Sequence, residues 1–163
     1  MNFPTAQDEF YMQLALEEAA RAVSQGEVPI GAVLVQDQEI LATVHNFRES
    51  WQDPTAHAEV VAIRAAAERL GTWRLTGASL YSTLEPCAMC AGAIIHARIA
   101  RLVFGADDPK AGACGSVFNI PAEPRLNHRV SVVRGVCARD SQEMLQSFFR
   151  DRRERRIPAI MNT

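Results

Sequence analysis

The chain has 163 residues, a length that fits one domain able to bury roughly 70% of the surface of the unfolded chain, and we expect that domain to span residues 1–163. Its hydrophobic content of 48% and charged content of 22% are ordinary for a soluble globular protein, and it has neither an apolar run long enough to cross a bilayer nor a basic and apolar leader. We therefore expect a cytoplasmic protein without a membrane segment, and its net charge of −2 does not by itself indicate a nucleic-acid partner.

The first part of the chain predicts a helix followed by a hairpin. Apolar residues recur at helical spacing at Met12, Ala15, Leu16, Ala19 and Val23. Gly26 marks the expected end of this helix, which should pack on a sheet. Residues 30–35 and 40–44 are rich in β-branched and aliphatic side chains around a polar turn, which predicts an antiparallel hairpin. We expect its second strand to deliver His45 and Asn46 toward a functional site.

The rest of the chain alternates between helices and strands. The predicted elements are a helix over about 55–70, a strand over 79–83, a helix over 87–97, strands over 101–104 and 129–133, and a closing helix. This order predicts an α/β fold: a three-layer α/β/α sandwich with a five-stranded mixed sheet whose second half pairs in parallel. Residues 106–128 are irregular, and a loop of that length is more often functional than idle. Asp140 with Glu143 predicts a capping box for the closing helix.

Positive charge is concentrated downstream and consists almost entirely of arginine. Residues 1–59 carry a net charge of −8 and residues 60–163 a net charge of +6, and Lys110 is the only lysine among the 17 basic residues. Arginine suits phosphate recognition, although a coding bias would give the same count. Residues 150–156, the Arg-rich end, hold five arginines and two acids. A solvated helix end is one interpretation; we hypothesise instead that Arg152 and Arg153 contact an RNA backbone.

Two short motifs indicate a metal site. Cys87 and Cys90 form a C-x-x-C pair at the start of a predicted helix, and His57 with Glu59 lies at the start of an earlier one. The alternative is that the C-x-x-C pair occurs by chance or is a redox pair, and that His57 is a surface histidine. Four cysteines in a chain without an export signal favour metal binding or reduced thiols over disulfides. Three soft ligands favour a catalytic zinc site with one position open to water. A fourth protein ligand would have to come from Cys114, Cys137, His45, His96 or His128, none of which lies in a second paired motif.

The position of Glu59 restricts where such a metal can lie. His57 and Glu59 are two residues apart, so on a regular helix they diverge by roughly 200°. They serve one centre only if it lies off the helix N-terminus, where the cap candidates around Pro54 place them.

These motifs resemble the signature of the zinc-dependent nucleobase deaminase superfamily. The closer match is to the family of bacterial tRNA-specific adenosine deaminases, which have a cytidine-deaminase-like fold, and it runs from about Phe10 to about Arg153. The matching segments are residues 28–33, 45–46, 53–59, 83–90, 91–96 and 103–106.

The resemblance implies a mechanism and a set of site residues. One Zn²⁺ per subunit would be held by His57, Cys87 and Cys90 and would activate a water, while Glu59 would act as the proton shuttle. The substrate would be the wobble adenosine of a tRNA anticodon stem-loop, converted to inosine, and the enzyme would be a homodimer.

The resemblance also implies two contacts with the RNA. Asn46 would contact the base, although an asparagine after a strand also suits a turn cap. Asp108, in a loop that would face the RNA strand, would accept a hydrogen bond from a ribose 2′-hydroxyl.

Two rival functions stay open at this point. A deaminase of free bases or nucleosides, acting on guanine or cytosine, would share the zinc chemistry without an RNA surface. A non-catalytic, zinc-stapled RNA-binding module would need a closed four-ligand site and would tolerate substitution of Glu59.

Overall fold

Five strands form one mixed sheet in the computed structural model, which describes residues 3–156. In chain order the elements are α1 (Ala6–Ser24), β1 (Gly31–Gln36), β2 (Glu39–His45), α2 (Arg48–Trp51), α3 (Ala58–Leu70), β3 (Ser79–Leu84), α4 (Ala88–His96), β4 (Arg101–Ala106), a 3₁₀ turn (Ile120–Ala122), β5 (Ser131–Arg134) and α5 (Ala138–Arg156). The strand order is β2-β1-β3-β4-β5. The outer ends of the predicted domain, residues 1–2 and 157–163, lie outside the described residues.

The sheet is antiparallel in its first half and parallel in its second. β1 pairs antiparallel with both β2 and β3, whereas β3 with β4 and β4 with β5 pair in parallel. The β1–β2 hairpin closes through Asp37 and Gln38, whose φ angles of 49° and 66° are those of a tight primed turn that follows the twist of the strands. The carboxyl ends of β2, β3 and β4 therefore lie at one edge of the sheet, where ligands bind in α/β folds.

Helices cover both faces of the sheet, so the predicted three-layer sandwich is confirmed. One core contains α3, α4 and the side chains that β1, β3 and β4 direct to that face, among them Leu34, Leu80 and Phe104. The second core joins α1 to the opposite face, where Val33, Tyr81 and Val103 lie, and α5 packs beside it.

Helix α1 lies close against the sheet. A Cβ atom on Gly31 would lie 1.8 Å from the backbone oxygen of Ala15, so only glycine permits this approach of helix and strand. Met12 and Ala15 are fully buried, but Val23, the last residue of the predicted apolar stripe, is 44% exposed. Gly26 has a φ of 74° and follows the end of α1, as predicted.

Two local predictions were wrong, and one short helix was missed. The third helix begins at Ala58 rather than near Thr55, because residues 53–56 form a turn in which the Asp53 carboxylate accepts hydrogen bonds from Thr55. The short helix α2 was not predicted. Asp140 does not cap α5, because the helix already begins at Ala138, and Glu143 pairs with Arg139 one turn away instead. None of the described helices is long and apolar enough to cross a membrane.

A buried ion pair fastens α1 to the sheet and gives a testable consequence for stability. Asp8 accepts hydrogen bonds from Arg101 at 2.5 and 2.8 Å, from Tyr81 at 3.1 Å and from the Thr5 backbone at 2.8 Å. Burial alone would raise the pKa of the Asp8 carboxyl, but these hydrogen bonds outweigh burial and lower the pKa from 3.8 to about 2.

We expect Asp8→Asn to lower the free energy of unfolding by about 2 kcal/mol at pH 7, in line with that pKa shift. Because the folded-state pKa is depressed, the stabilisation is present above pH 3.8 and is lost as the pH falls toward 2. Urea unfolding at pH 7 and near pH 2 measures both values, with Glu9→Gln on the exposed neighbouring residue as the control. Equal effects of Asp8→Asn at the two pH values would contradict this account.

Candidate active site

The N-terminal ends of α3 and α4 meet at the carboxyl edge of the sheet. His57 is the N-cap residue of α3 and Cys87 the N-cap residue of α4, and both have extended backbone conformations. Pro86 therefore precedes the N-cap residue of α4 and lies outside its first turn. Cys90, one turn into α4, is fully buried. The two motifs thus point at one another from two helix starts.

The three predicted ligands form a regular triangle. The distances between His57 Nδ1, Cys87 Sγ and Cys90 Sγ are each 3.6 Å. Tetrahedral zinc with ordinary bond lengths would separate two sulfurs by about 3.8 Å and a sulfur from a nitrogen by about 3.6 Å. The donor set and its spacing therefore fit such an ion, and among the described residues these three form the one group of this kind.

None of the five alternative fourth ligands joins this triangle among the residues that the structure describes. Cys114 lies nearby, but its thiol is directed to the Pro86 carbonyl oxygen at 3.9 Å, and burial raises its pKa to about 12. His45 is turned away: its Nδ1 lies 3.1 Å from Glu18 and its Nε2 3.3 Å from Gln25. The expectation that β2 delivers His45 to the site was therefore wrong, because α1 holds the ring.

The two thiols favour ionisation of one sulfur at a time. The pKa of Cys87 is lowered to about 4 by the contact of its thiol with Cys90 and by a hydrogen bond with His57, although burial opposes this shift. The same contact, together with burial, raises the pKa of Cys90. The hydrogen bond with Cys87 also raises the pKa of His57. A bound cation would stabilise both thiolates together, which is the arrangement that a metal ligand pair requires.

Glu59 lies beside the triangle without belonging to it. It is the second residue of α3, is 4% exposed, and its Oε2 lies 3.6 Å from Cys90 Sγ. Ser82 on β3 donates a hydrogen bond of 3.2 Å to Oε1 and fixes the carboxyl group. Burial raises the pKa of Glu59. The structure therefore brings Glu59 and the three ligands together off the start of α3, and it supports Glu59 through Ser82, which sequence reasoning missed.

A cavity of about 250 Å³, the inner cavity, opens beside His57. It is lined by Val28, Ile30, Asn46, Arg48, His57, Phe149 and Arg152. Asn46 is buried; its Oδ1 accepts from the Arg48 backbone at 3.1 Å and its Nδ2 lies 3.5 Å from the Val28 oxygen. The asparagine thus both caps a turn and lines the cavity, so the two interpretations of it are compatible.

A larger space of about 670 Å³, the outer cleft, adjoins the inner cavity. Residues 106–110 form one wall and α5 the other, and Val28 and Phe149 line both spaces. Asp108 lies in this wall, and its Oδ1 accepts from the backbone of Lys110 at 3.0 Å and of Ala111 at 3.2 Å.

The closing helix contributes to both spaces. Arg152 lines the inner cavity, whereas Arg153 is exposed and is not among the described residues that line either space. Phe149 on α5 is 42% exposed and lines both spaces. The helical spacing of apolar residues in α5 does not show whether such a residue lines a cavity or packs in the core.

Comparison with known proteins agrees with the fold and the site. The family model of MafB19-like deaminases matches residues 6–153, which defines the chain as a deaminase. The tRNA-specific adenosine deaminase of Bacillus subtilis is 51% identical over 96% of this chain and 97% of its own length, and that of Haemophilus influenzae is 49% identical over 90% and 86%. This chain belongs to the family of bacterial tRNA-specific adenosine deaminases, as its motifs predicted.

Solved structures place the fold in the same group. A structure from work on A-to-I editing by tRNA:A34 deaminases at the wobble position is 49% identical, with a TM-score of 0.81 over 83% of this chain and 99% of that one. Guanine deaminase from Bacillus subtilis is more distant, 35% identical with a TM-score of 0.61 over 76% of this chain and 82% of that one. The five-stranded sheet and flanking helices thus have the cytidine-deaminase-like fold that was predicted.

Proposed function

We propose that this chain deaminates the wobble adenosine of a tRNA anticodon stem-loop to inosine by hydrolysis. The observation that carries the proposal is the position of Glu59, 3.6 Å from a thiol of the His57–Cys87–Cys90 triangle, whose His57 lines the inner cavity. The 51% identity with a tRNA-specific adenosine deaminase supports the choice of substrate. The enzyme works in the cytoplasm as a homodimer with one Zn²⁺ per subunit.

His57, Cys87 and Cys90 hold the zinc ion in this proposal. When bound, zinc supplies Lewis acidity that lowers the pKa of a water and makes it a nucleophile at neutral pH. Three protein ligands leave a position for that water, the arrangement of catalytic rather than structural zinc sites.

Glu59 moves the protons. Its carboxylate takes a proton from the attacking water, donates it to a ring nitrogen of the base, and assists departure of the amine. The hydrogen bond from Ser82 and the position of Glu59 at the start of α3 hold the carboxylate in one orientation. This lowers the entropic cost of reaching the reactive geometry.

Asn46 and the inner cavity receive the base. The Asn46 amide can both donate and accept hydrogen bonds, as the edge of a purine requires. Only a base that has left its stack can enter a cavity of this kind, and bases in anticodon loops unstack at low energetic cost. Asp108 and the Arg-rich end contact the rest of the loop.

The proposal is tested by incubating zinc-loaded protein with a tRNA that carries adenosine at the wobble position, and separately with free adenosine, cytidine, cytosine and guanine. Inosine in the tRNA alone is the expected result. Deamination of a free base or nucleoside alone would keep the zinc chemistry and overturn the RNA substrate, as the likeness to guanine deaminase allows. RNA binding without any deamination would indicate a non-catalytic module.

The two arginines of the closing helix should differ in their effect on RNA binding. Arg152 lines the inner cavity and lies 5.6 Å above the Phe148 ring, while Arg153 is exposed. We expect Arg152→Glu to weaken tRNA binding about tenfold and to reduce the slope of log K against log salt by about one, with a smaller effect of Arg153→Glu. Filter binding from 50 to 200 mM salt measures both quantities. Arg125→Glu, on an exposed arginine outside both spaces, is the control, and unchanged slopes in both variants would refute the contact.

A further inference from the structure

Glu85 is a buried carboxylate without a role in the chemistry described above. It follows β3 directly, two residues before the metal ligand Cys87, and is 2% exposed. Burying a carboxylate is costly unless hydrogen bonds replace its water. The partners that replace the water all come from one loop.

The loop of residues 107–116, the cleft loop, is wrapped around this carboxylate. Oε1 accepts hydrogen bonds from the backbone N–H groups of Cys114 and Ser116, each at 3.0 Å. Oε2 accepts from the Asp108 N–H at 2.9 Å and from the Ser116 hydroxyl. One side chain therefore holds the beginning and the end of the loop together with four charge-assisted hydrogen bonds.

The middle of the cleft loop also fits the carboxylate closely. A Cβ atom on Gly112 would lie 2.4 Å from Glu85 Cδ, so this position has room for glycine alone. The Gly112 N–H donates to the Asp108 oxygen at 2.9 Å, which closes the loop over the acid. On the outer side, Arg134 pairs with Asp107 at 2.8 Å.

The cleft loop supplies a wall of the outer cleft through residues 107–110. A base in the inner cavity is attached to a polynucleotide, and the outer cleft, which shares Val28 and Phe149 with that cavity, offers this polynucleotide a path. The position of this wall, with Asp108 and Lys110 on it, therefore decides how well the flanking RNA fits.

We infer that Glu85 is a positioning residue for the RNA: its carboxylate fixes the cleft loop, and through that loop it sets the affinity for the nucleotides beside the target base. The inference rests on the proposed tRNA deaminase activity. It gives two nearby residues of one motif different roles: Cys87 binds the metal, and Glu85 positions the loop that contacts the RNA beside the target base.

The first test is Glu85→Gln in the zinc-loaded enzyme, assayed with an anticodon stem-loop. The amide presents an N–H group to backbone N–H donors, so the loop loses at least one partner. We expect KM to rise about tenfold and kcat to stay within about threefold of the wild-type value. Bound zinc, measured by elemental analysis, should stay at one per chain. Hydrogen exchange at the amides of Asp108, Cys114 and Ser116 should become faster.

Two further variants complete the test. Ser116→Ala removes one donor and leaves the carboxylate, so it should raise KM by a smaller factor, and it keeps the inference testable if Glu85→Gln does not fold. Glu123→Gln makes the same chemical change on a carboxylate that pairs with Arg125 and is not among the described residues lining the cleft; it should change nothing.

The outcomes separate this inference from the proposed function. A wild-type chain that makes no inosine in the stem-loop refutes the proposed function itself. An active wild-type enzyme with unchanged KM in both Glu85→Gln and Ser116→Ala overturns the role of Glu85. A fall in kcat with loss of zinc would assign Glu85 to the metal site instead.

Discussion

Replacing Glu59 by alanine should reduce kcat by about 10²- to 10⁴-fold while the protein keeps its zinc. Glu59 lies outside the His57–Cys87–Cys90 triangle, so its removal leaves the three donors in place. The loss falls on the chemical step, because the attacking water and the ring nitrogen then lack a group that exchanges protons with them. KM for tRNA should change little, since Glu59 is buried and is not among the described residues that line the inner cavity.

Single-turnover assays with a tRNA substrate and elemental analysis for zinc measure both parts of this prediction. Glu59→Gln keeps the size of the side chain and removes only the ability to carry a proton, so it should be as inactive as the alanine variant. Glu68→Ala changes an exposed carboxylate on the same helix α3 and should retain full activity. A Glu59→Ala protein with most of its activity would show that another group moves the protons.

The sheet was predictable because its signals are local. The hairpin was readable from two aliphatic runs around a polar turn, and the turn adopts the left-handed φ angles at Asp37 and Gln38 that such hairpins require. The helix between β3 and β4 then predicted their parallel pairing, whereas β4 and β5, which also pair in parallel, are joined by an irregular segment with one 3₁₀ turn. Helix boundaries were harder to predict. Asp140 is a residue type that commonly caps helices, yet α5 begins two residues earlier, at Ala138.

The His57–Cys87–Cys90 triangle was also predictable, because each motif carries its donor residues at a helix start and both helices begin at the same edge of the sheet. The residues that line the inner cavity and the outer cleft could not be predicted in the same way. Phe149 has the spacing of a core residue, and only the packing of α5 across the sheet edge shows that it lines the cleft. His45 has the chemistry of a ligand, and its capture by Glu18 depends on a contact between residues 27 positions apart. Such long-range contacts leave no periodic trace in the sequence.

Replacing Cys90 by serine should remove the metal and with it the activity, a loss of kcat/KM of at least about 10³-fold. Cys90 is the buried member of the triangle, and its sulfur contacts Cys87, His57 and Glu59 at 3.6 Å. A serine oxygen is a harder and shorter donor that does not reach the position of the sulfur. Chelation of the wild-type metal should abolish activity in the same way, and added Zn²⁺ should restore the wild-type enzyme but not Cys90→Ser.

Cys114→Ala is the matched control, and it decides between a catalytic and a structural site. The buried thiol of Cys114 is directed toward the Pro86 carbonyl oxygen and not toward the triangle. Its removal should therefore leave one zinc per chain and normal turnover. Loss of zinc from this variant would mean that the loop closes onto the metal as a fourth ligand. Such a closed site has no position for the water that hydrolysis needs, and the chain would then bind RNA without deaminating it.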